Sequence, residues 1–250
     1  MKVAFVHDCA HTCEDLAPHL NDLGVDTCFI PLCGVVKLAN KIRDSGADVI
    51  HGNYIRSPAY ACILSGKRPY VLHGHGDDIR YGLGWKQRLA ISMASLVLYS
   101  TEDLAGKVKS SVLLPQPVDN EKFNPDLRKG QESCNRALYI LQTTSDMRLR
   151  FNESQYLEQI RSYCENSGYD LSLIKMGDNK YDDMPKFLSQ FSLYFERQFP
   201  ATSLSKTAIE CLSMGMTVLK NFQVVTRDVA KHYSKNVASQ LARYYQNIAG

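Results

Sequence analysis

Short apolar runs alternate with amphipathic stretches along nearly the whole chain, and that rhythm leaves few folds open. Six runs come first, at residues 3–7, 27–31, 48–51, 70–73, 96–100 and 112–114, with helix-like stretches such as 85–94 between several of them. Four more follow at 137–142, 171–175, 193–196 and 217–219, with helices expected near 154–166, 184–190, 203–214 and from about 226 to the end. Strands that alternate with helices imply parallel sheets covered by those helices. Residues 119–133 are polar and poor in apolar periodicity, which makes them the linker. The organisation is therefore α/β, with a first domain at 1–118 and a second at 134–250. The last helix, 228–247, has a broad apolar face; packing back on the first domain and packing on its own domain both remain open.

Composition narrows the classes. At 250 residues with a net charge of +3 and its cations scattered among acids, the chain gives no sign of a nucleic-acid partner. The sequence has no apolar run near the ~20 residues of a membrane helix, and its first residues read as a strand rather than a signal peptide. The eight cysteines form no C-x2-C pairs and several sit in apolar helical patterns, so they are expected as reduced packing residues in a cytoplasmic protein. Peripheral attachment to a membrane stays open. No G-x-G-x-x-G follows an expected strand, which argues against a nicotinamide-dependent dehydrogenase.

The stretch from Ser203 to Leu219 carries the most chemistry. Thr202 or Ser203 can cap a helix whose free N–H groups and positive dipole end, running through Ser205, suit a diphosphate. Lys206 and Glu210 stand one turn apart and can share a face, Gly215 ends the helix, and an apolar strand follows. A carboxylate at Glu210 can accept the hydroxyls of a ribose while the helix start holds phosphates. In the first half, His73-Gly74-His75-Gly76-Asp77-Asp78 follows a strand, and the glycines let the backbone turn close to a ligand. A strand-end histidine is also compatible with plain packing, which is the reading for His73.

The 203–219 segment resembles the E-x7-E nucleotide-sugar motif of family 4 glycosyltransferases, with Glu210 on the second acid and Thr202 where the first would stand. LPQPVDNEKFNP at 114–125 is similar to the family's interdomain signature, and His75-Gly76-Asp77-Asp78 to its HGxD motif. Three matches in order span roughly residues 70 to 220. The resemblance implies a GT-B fold, two Rossmann-like domains facing across a cleft, and a hexosyltransferase-type enzyme. It implies a retaining, metal-free reaction with no cofactor, in which a nucleotide-diphosphate sugar is the donor and a saccharide or lipid-linked hydroxyl the acceptor. His75 then faces the transferred sugar and Asp78 the acceptor; Glu210 binds ribose. The family's Arg and Lys after the first strand of the second domain are replaced by Arg148 and Arg150, whose forked guanidinium groups also suit phosphate.

Departures from the family favour a second reading, a catalytically degenerate sugar-nucleotide-binding or partner-binding protein of the same fold. These are Thr202, the missing Lys-Gly, and a first loop without glycines. That loop holds His7, Cys9, His11 and Cys13; a capped helix starting near Thr12, with Glu14 and Asp15 in its first turn, explains it better than a metal site.

Overall fold

The computed structural model describes residues 1–130, 134–141, 153–175, 177–197 and 203–250. The chain divides into two compact units. Unit 1 comprises residues 1–117 together with 230–250, and unit 2 comprises 118–229.

Unit 1 is built on six parallel strands: β1 (Lys2–Val6), β2 (Asp26–Ile30), β3 (Val49–Asn53), β4 (Tyr70–Gly74), β5 (Leu96–Tyr99) and β6 (Val112–Leu113), in the order β2-β1-β3-β4-β5-β6. Successive side chains of a strand point to opposite faces, and both faces here are covered. Ala4 and Val6 enter one core with Leu38, Ile42, Ala59 and Cys62, from helices Val35–Asp44 and Ser57–Ser65. Val3 and Phe5 enter the other with Leu16 and Leu20, from helix Thr12–Asp22.

The final helix, Ser234–Ala249, completes that second face. Val237, Ala238, Leu241 and Tyr245 are buried there against β1 and the first helix. The helix begins later than the sequence pattern suggests, because Ala230–His232 forms a separate 3-10 turn and His232 is tied through Nδ1 to the carbonyl of Gln116 at 2.9 Å.

Among the described residues, unit 2 holds five strands in the order β11-β10-β9-β7-β8. β7 (Arg136–Leu141), β8 (Asp170–Lys175), β9 (Leu193–Glu196) and β10 (Thr217–Lys220) are parallel, and β11 (Gln223–Val224) closes one edge as an antiparallel partner of β10. Ala137, Tyr139, Leu193 and Phe195 pack on Tyr156, Ile160 and Cys164 of helix Glu153–Ser167.

The described part of the expected linker packs into unit 2. Phe123 is fully buried, its carbonyl accepts from Ser213 Oγ at 3.0 Å, and Arg128 Nη1 donates to the carbonyl of Gly215 at 2.7 Å. An apolar ring and a guanidinium in a polar stretch were enough to dock it. All eight cysteines are free, and Cys13, Cys62, Cys164 and Cys211 are buried. Burial pushes the Cys62 thiol up to about 12, the state of a packing residue rather than a nucleophile. Among the described residues, no helix is long and apolar enough to cross a membrane.

Because Leu241 is fully buried in the core formed by the returning helix, Leu241→Ala should destabilise unit 1 by about 2–5 kcal/mol through lost contacts and a residual cavity. Chemical denaturation of the variant checks this.

Candidate functional site

Unit 1 concentrates polar side chains at the carboxyl ends of β3, β4 and β5. Parallel pairing sets Asn53 of β3 beside His73 of β4, and Gly74 beside Tyr99 of β5. The glycines after His73 answer two separate needs. A Cβ on Gly74 would stand 2.1 Å from Ile79 Cδ1, and Gly76 has φ of 144°, a conformation that side chains disfavour. Together they turn the chain so that His75 leaves the sheet.

His75 is the half-exposed member of a set of otherwise buried groups. Its Nε2 lies 3.0 Å from Asn53 Oδ1 and its Nδ1 lies 2.8 Å from Ser100 Oγ. The same Ser100 hydroxyl lies 2.9 Å from His73 Nε2, and His73 Nδ1 lies 3.4 Å from His51 Nε2. His51 Nδ1 in turn meets the Tyr245 hydroxyl at 2.5 Å. His73, read from the sequence as strand-end packing, is thus fully buried and also bonded at both ring nitrogens. Burial lowers the pKa of His51 to about 3 and that of His73 well below 6.5, each with a further push from neighbouring imidazoles.

Asp78 lies where the HGxD resemblance puts it, but it does not face outward. It is 1% exposed, and its oxygens accept from the backbone N–H groups of Ile55 (2.7 Å), His75 (3.1 Å) and Gly76 (2.9 Å). Burial raises its carboxyl pKa, partly offset by those amides. The geometry makes Asp78 the clamp of the His75 loop.

The first loop replaces missing glycines with strained residues. His7, Ala10 and His11 all have positive φ (67°, 54° and 56°), and Asp8 caps the first helix by accepting from Cys13 N at 2.9 Å and Glu14 N at 3.1 Å. Ligand-type atoms of Asp8, His11 and Glu14 lie within 4.8 Å of one another on the surface, but the Asp8 oxygens already serve the helix.

In unit 2 the helix start falls at Lys206 and its cap is Ser205, two or three residues later than the sequence reading of Thr202 or Ser203. Ser205 Oγ accepts from Ala208 N at 3.1 Å and donates to Glu196 Oε2 at 2.6 Å. Ser203 is buried, and its carbonyl accepts from Lys220 Nζ.

Lys206 and Glu210 sit one turn apart as expected but differ in setting. Lys206 Nζ stands 4.8 Å over the Tyr181 ring, whereas Glu210 is 3% exposed. Gly215, with φ of 71°, ends the helix. Thr202, Arg148 and Arg150 lie outside the described residues.

Sequence reasoning missed Glu196, the buried acid that ends β9. Burial raises its pKa, while the Ser205 hydroxyl, Arg197 and Lys220 pull it back. A charged residue closing an apolar strand was the available signal. It also missed His51, Asn53 and Ser100, whose signal was a polar side chain inside or just after a strand expected to be covered on both faces.

A cavity of about 80 Å³ opens beside this helix, lined by Ile140, Ile174, Lys175, Met184, Arg197 and Thr207 at the carboxyl ends of β7 and β8. A larger one, about 490 Å³, lies in unit 1 by Leu83, Ile91 and residues 107–110, at the amino ends of β5 and β6. None of the described candidate site residues lines the larger one. The smaller lies where open α/β sheets bind ligands, at the carboxyl ends of parallel strands.

No protein-family model and no curated protein sequence matches the chain. Solved structures do. An alpha-glucosyltransferase in complex with UDP and a 13-mer DNA matches with a TM-score of 0.64 at 10% identity, covering 99% of this chain and 92% of that one. The catalytic domain of starch synthase IV from Arabidopsis thaliana, bound to ADP and acarbose, matches at 0.63 and 7% identity, covering 98% and 92%. The fold is GT-B. A putative UDP-N-acetylglucosamine 2-epimerase from Listeria monocytogenes also matches, at 0.54 and 12% identity over 98% and 88%. A shared fold at such identities fixes architecture, and chemistry has to be argued from the residues.

The buried histidines make unit 1 acid-labile. Unfolded, each imidazole gains a proton as pH falls through about 6.5; folded, His51 resists until about 3 and His73 is likewise held low. Stability is therefore full above pH 6.5 and lost below it, at about 1.4 kcal/mol per pH unit for each histidine. Urea denaturation at about pH 7.5 and 5.5 should show this loss, with a shallower dependence in His51→Gln.

Proposed function

We propose that the protein is a glycosyltransferase that moves a hexose from a nucleotide-diphosphate sugar to an acceptor hydroxyl, with retention and without a metal. The observation that carries this reading is the His75 imidazole, turned out of a strand end by Gly74 and Gly76, half-exposed, and held at both ring nitrogens. Its partial exposure at the carboxyl end of the sheet separates it from the fully buried His73, which is also bonded at both ring nitrogens. The GT-B fold supports the reading, as do a buried acid and a serine-capped helix start in unit 2 and a cavity beside them.

In this reading unit 2 binds the nucleotide. Glu210 takes the ribose hydroxyls, and the base lies at the mouth of the cavity lined by Ile140, Ile174, Lys175 and Arg197. The diphosphate meets the helix start near Ser203 and Ser205, with Lys206 and Arg197 as counter-charge and Arg148 and Arg150 as further cations. The bond from the acceptor oxygen to the anomeric carbon forms as the bond to the diphosphate oxygen breaks. The hydroxyl proton leaves with the diphosphate. His75 orients the sugar, and donors fixed in advance stabilise the charge that develops on the leaving group.

The second reading, a binding protein of the same fold without turnover, is favoured by Asp78, whose oxygens are engaged inside the loop and do not reach an acceptor. Nucleotide release separates the two. The best-binding donor, mixed with saccharide and lipid-linked acceptors in excess chelator, should yield free nucleoside diphosphate and a product of unchanged anomeric configuration. Loss of activity in chelator with rescue by a divalent ion would reject the metal-free step, and an inverted product would reject retention. Tight donor binding with no release across the acceptors would favour the binding protein.

For the nucleotide site, Glu210→Gln should weaken donor binding by about 1–3 kcal/mol, the range for charge-assisted hydrogen bonds. Calorimetry checks it, and unchanged affinity would remove Glu210 from the site. His75→Ala should lower turnover far more than donor affinity, the pattern of an interaction made chiefly in the transition state.

A further inference from the structure

The polar groups behind His75 form a chain whose direction can be worked out bond by bond. Asn53 Nδ2 lies 3.0 Å from the carbonyl oxygen of His7, which can only accept, so the amide nitrogen faces His7 and Oδ1 faces His75. His75 Nε2 must therefore carry a proton. In the neutral ring Nδ1 is then an acceptor, and the group facing it, Ser100 Oγ, must donate. With its proton committed, Ser100 accepts from His73 Nε2–H, which makes His73 Nδ1 an acceptor for His51 Nε2–H. His51 Nδ1 accepts in turn from the Tyr245 hydroxyl. Every group has one role, and all donation runs one way from Tyr245 on the C-terminal helix to Asn53 on β3.

A second proton on His75 would upset the whole chain. Nδ1–H would face Ser100, whose own proton would lose its acceptor if the hydroxyl accepted from both rings; if the hydroxyl instead turned to donate to His73, both buried rings would exchange tautomers and His51 Nδ1–H would point at the Tyr245 oxygen. The Tyr245 proton would then lose the acceptor it has in the neutral arrangement, inside a core where Tyr245 is fully buried. His51 and His73 are themselves held neutral by burial, so neither absorbs the proton.

We propose that Ser100 and Tyr245 are positioning residues that act through this one-way chain to keep His75 neutral, with its proton on Nε2 and its Nδ1 closed. Tyr245 sits 194 residues from His51 in sequence, so the C-terminal helix sets the chemistry of a loop formed near residue 75. The consequence for catalysis rests on the glycosyltransferase reading: His75 meets the sugar as an uncharged ring, its one N–H already given to Asn53, and not as a proton-bearing acid. Among the described residues, the groups facing it include Asn53 and His51 from β3, His73 and Asp78 from its own strand and loop, Ser100 after β5, and His7 and Cys13 behind Asn53.

The test needs no donor. Long-range proton–nitrogen NMR of the imidazoles in the full-length protein reads tautomer and titration directly. The neutral Nε2–H form should be found for His75, His73 and His51. Tyr245→Phe keeps the ring and removes the terminal donor, so the neutral arrangement loses its advantage and the His75 midpoint should rise by about one pH unit. Ser100→Ala cuts the chain next to His75, and in that background Tyr245→Phe should shift His75 no further. Amide spectra confirm that each variant is folded.

An unmoved His75 midpoint in folded Tyr245→Phe, an Nδ1–H tautomer at His75, or equal shifts with and without Ser100 would each overturn the proposal. If the protein transfers sugar, Tyr245→Phe should also move the acid limb of kcat by the same amount while KM for the donor is kept. A protein that transfers nothing but shows the NMR shifts would reject the transferase reading and retain the chain.

Discussion

The parallel register of β3, β4 and β5 is the constraint on which the first unit's chemistry depends. Parallel strands must be joined by crossovers, so every strand of the sheet releases its chain at the same edge. Asn53 beside His73, and Gly74 beside Tyr99, place the polar ends of three strands together there. A slip of one residue in β4 would send His73 to the opposite face and His75 with it, and no contact of the set would survive.

That arrangement carries a cost which shapes the rest of the unit. Three imidazoles, an amide and two hydroxyls at or near the core would be expensive to desolvate singly. They are tolerated because each finds a partner in the next, and the chain ends on an amide whose other side is taken by the His7 carbonyl. The first loop is bound into the same account: His7 holds φ of 67° while its carbonyl faces Asn53. Strain in that loop and polar satisfaction under His75 are parts of one structure.

Unit 2 uses simpler means for a similar end. Its parallel strands finish beside the start of one helix, and the serine that caps it also holds the buried Glu196. The segment after Pro117 is fixed to the far end of that helix through Phe123 and Arg128. Both ends of the element that carries Glu210 are thereby anchored. A group on a helix held at both ends is kept in place more precisely than one on a loop.

The sequence by itself determined the elements and their class. Apolar runs of strand length alternating with helical stretches read correctly as parallel sheets under helices, because hydrophobic period is a local property. Gly74 and Gly76 marked the turn that presents His75, and Gly215 marked the end of the Lys206 helix, since backbone demands are local too. Only tertiary structure decided what the polar residues do. Asp78 was legible as an acid three residues after His75 but not as a buried clamp, because its partners Ile55, His75 and Gly76 come from two loops. Ser205 displaced Thr202 and Ser203 as the cap once Glu196 was in place to receive its proton. His73 changed from packing residue to link in a chain because Ser100 and His51 reach it from neighbouring strands, and Tyr245 joined them from the far end of the chain. Those contacts depend on register and on which helix covers which face, and neither is written in any window of sequence short enough to read.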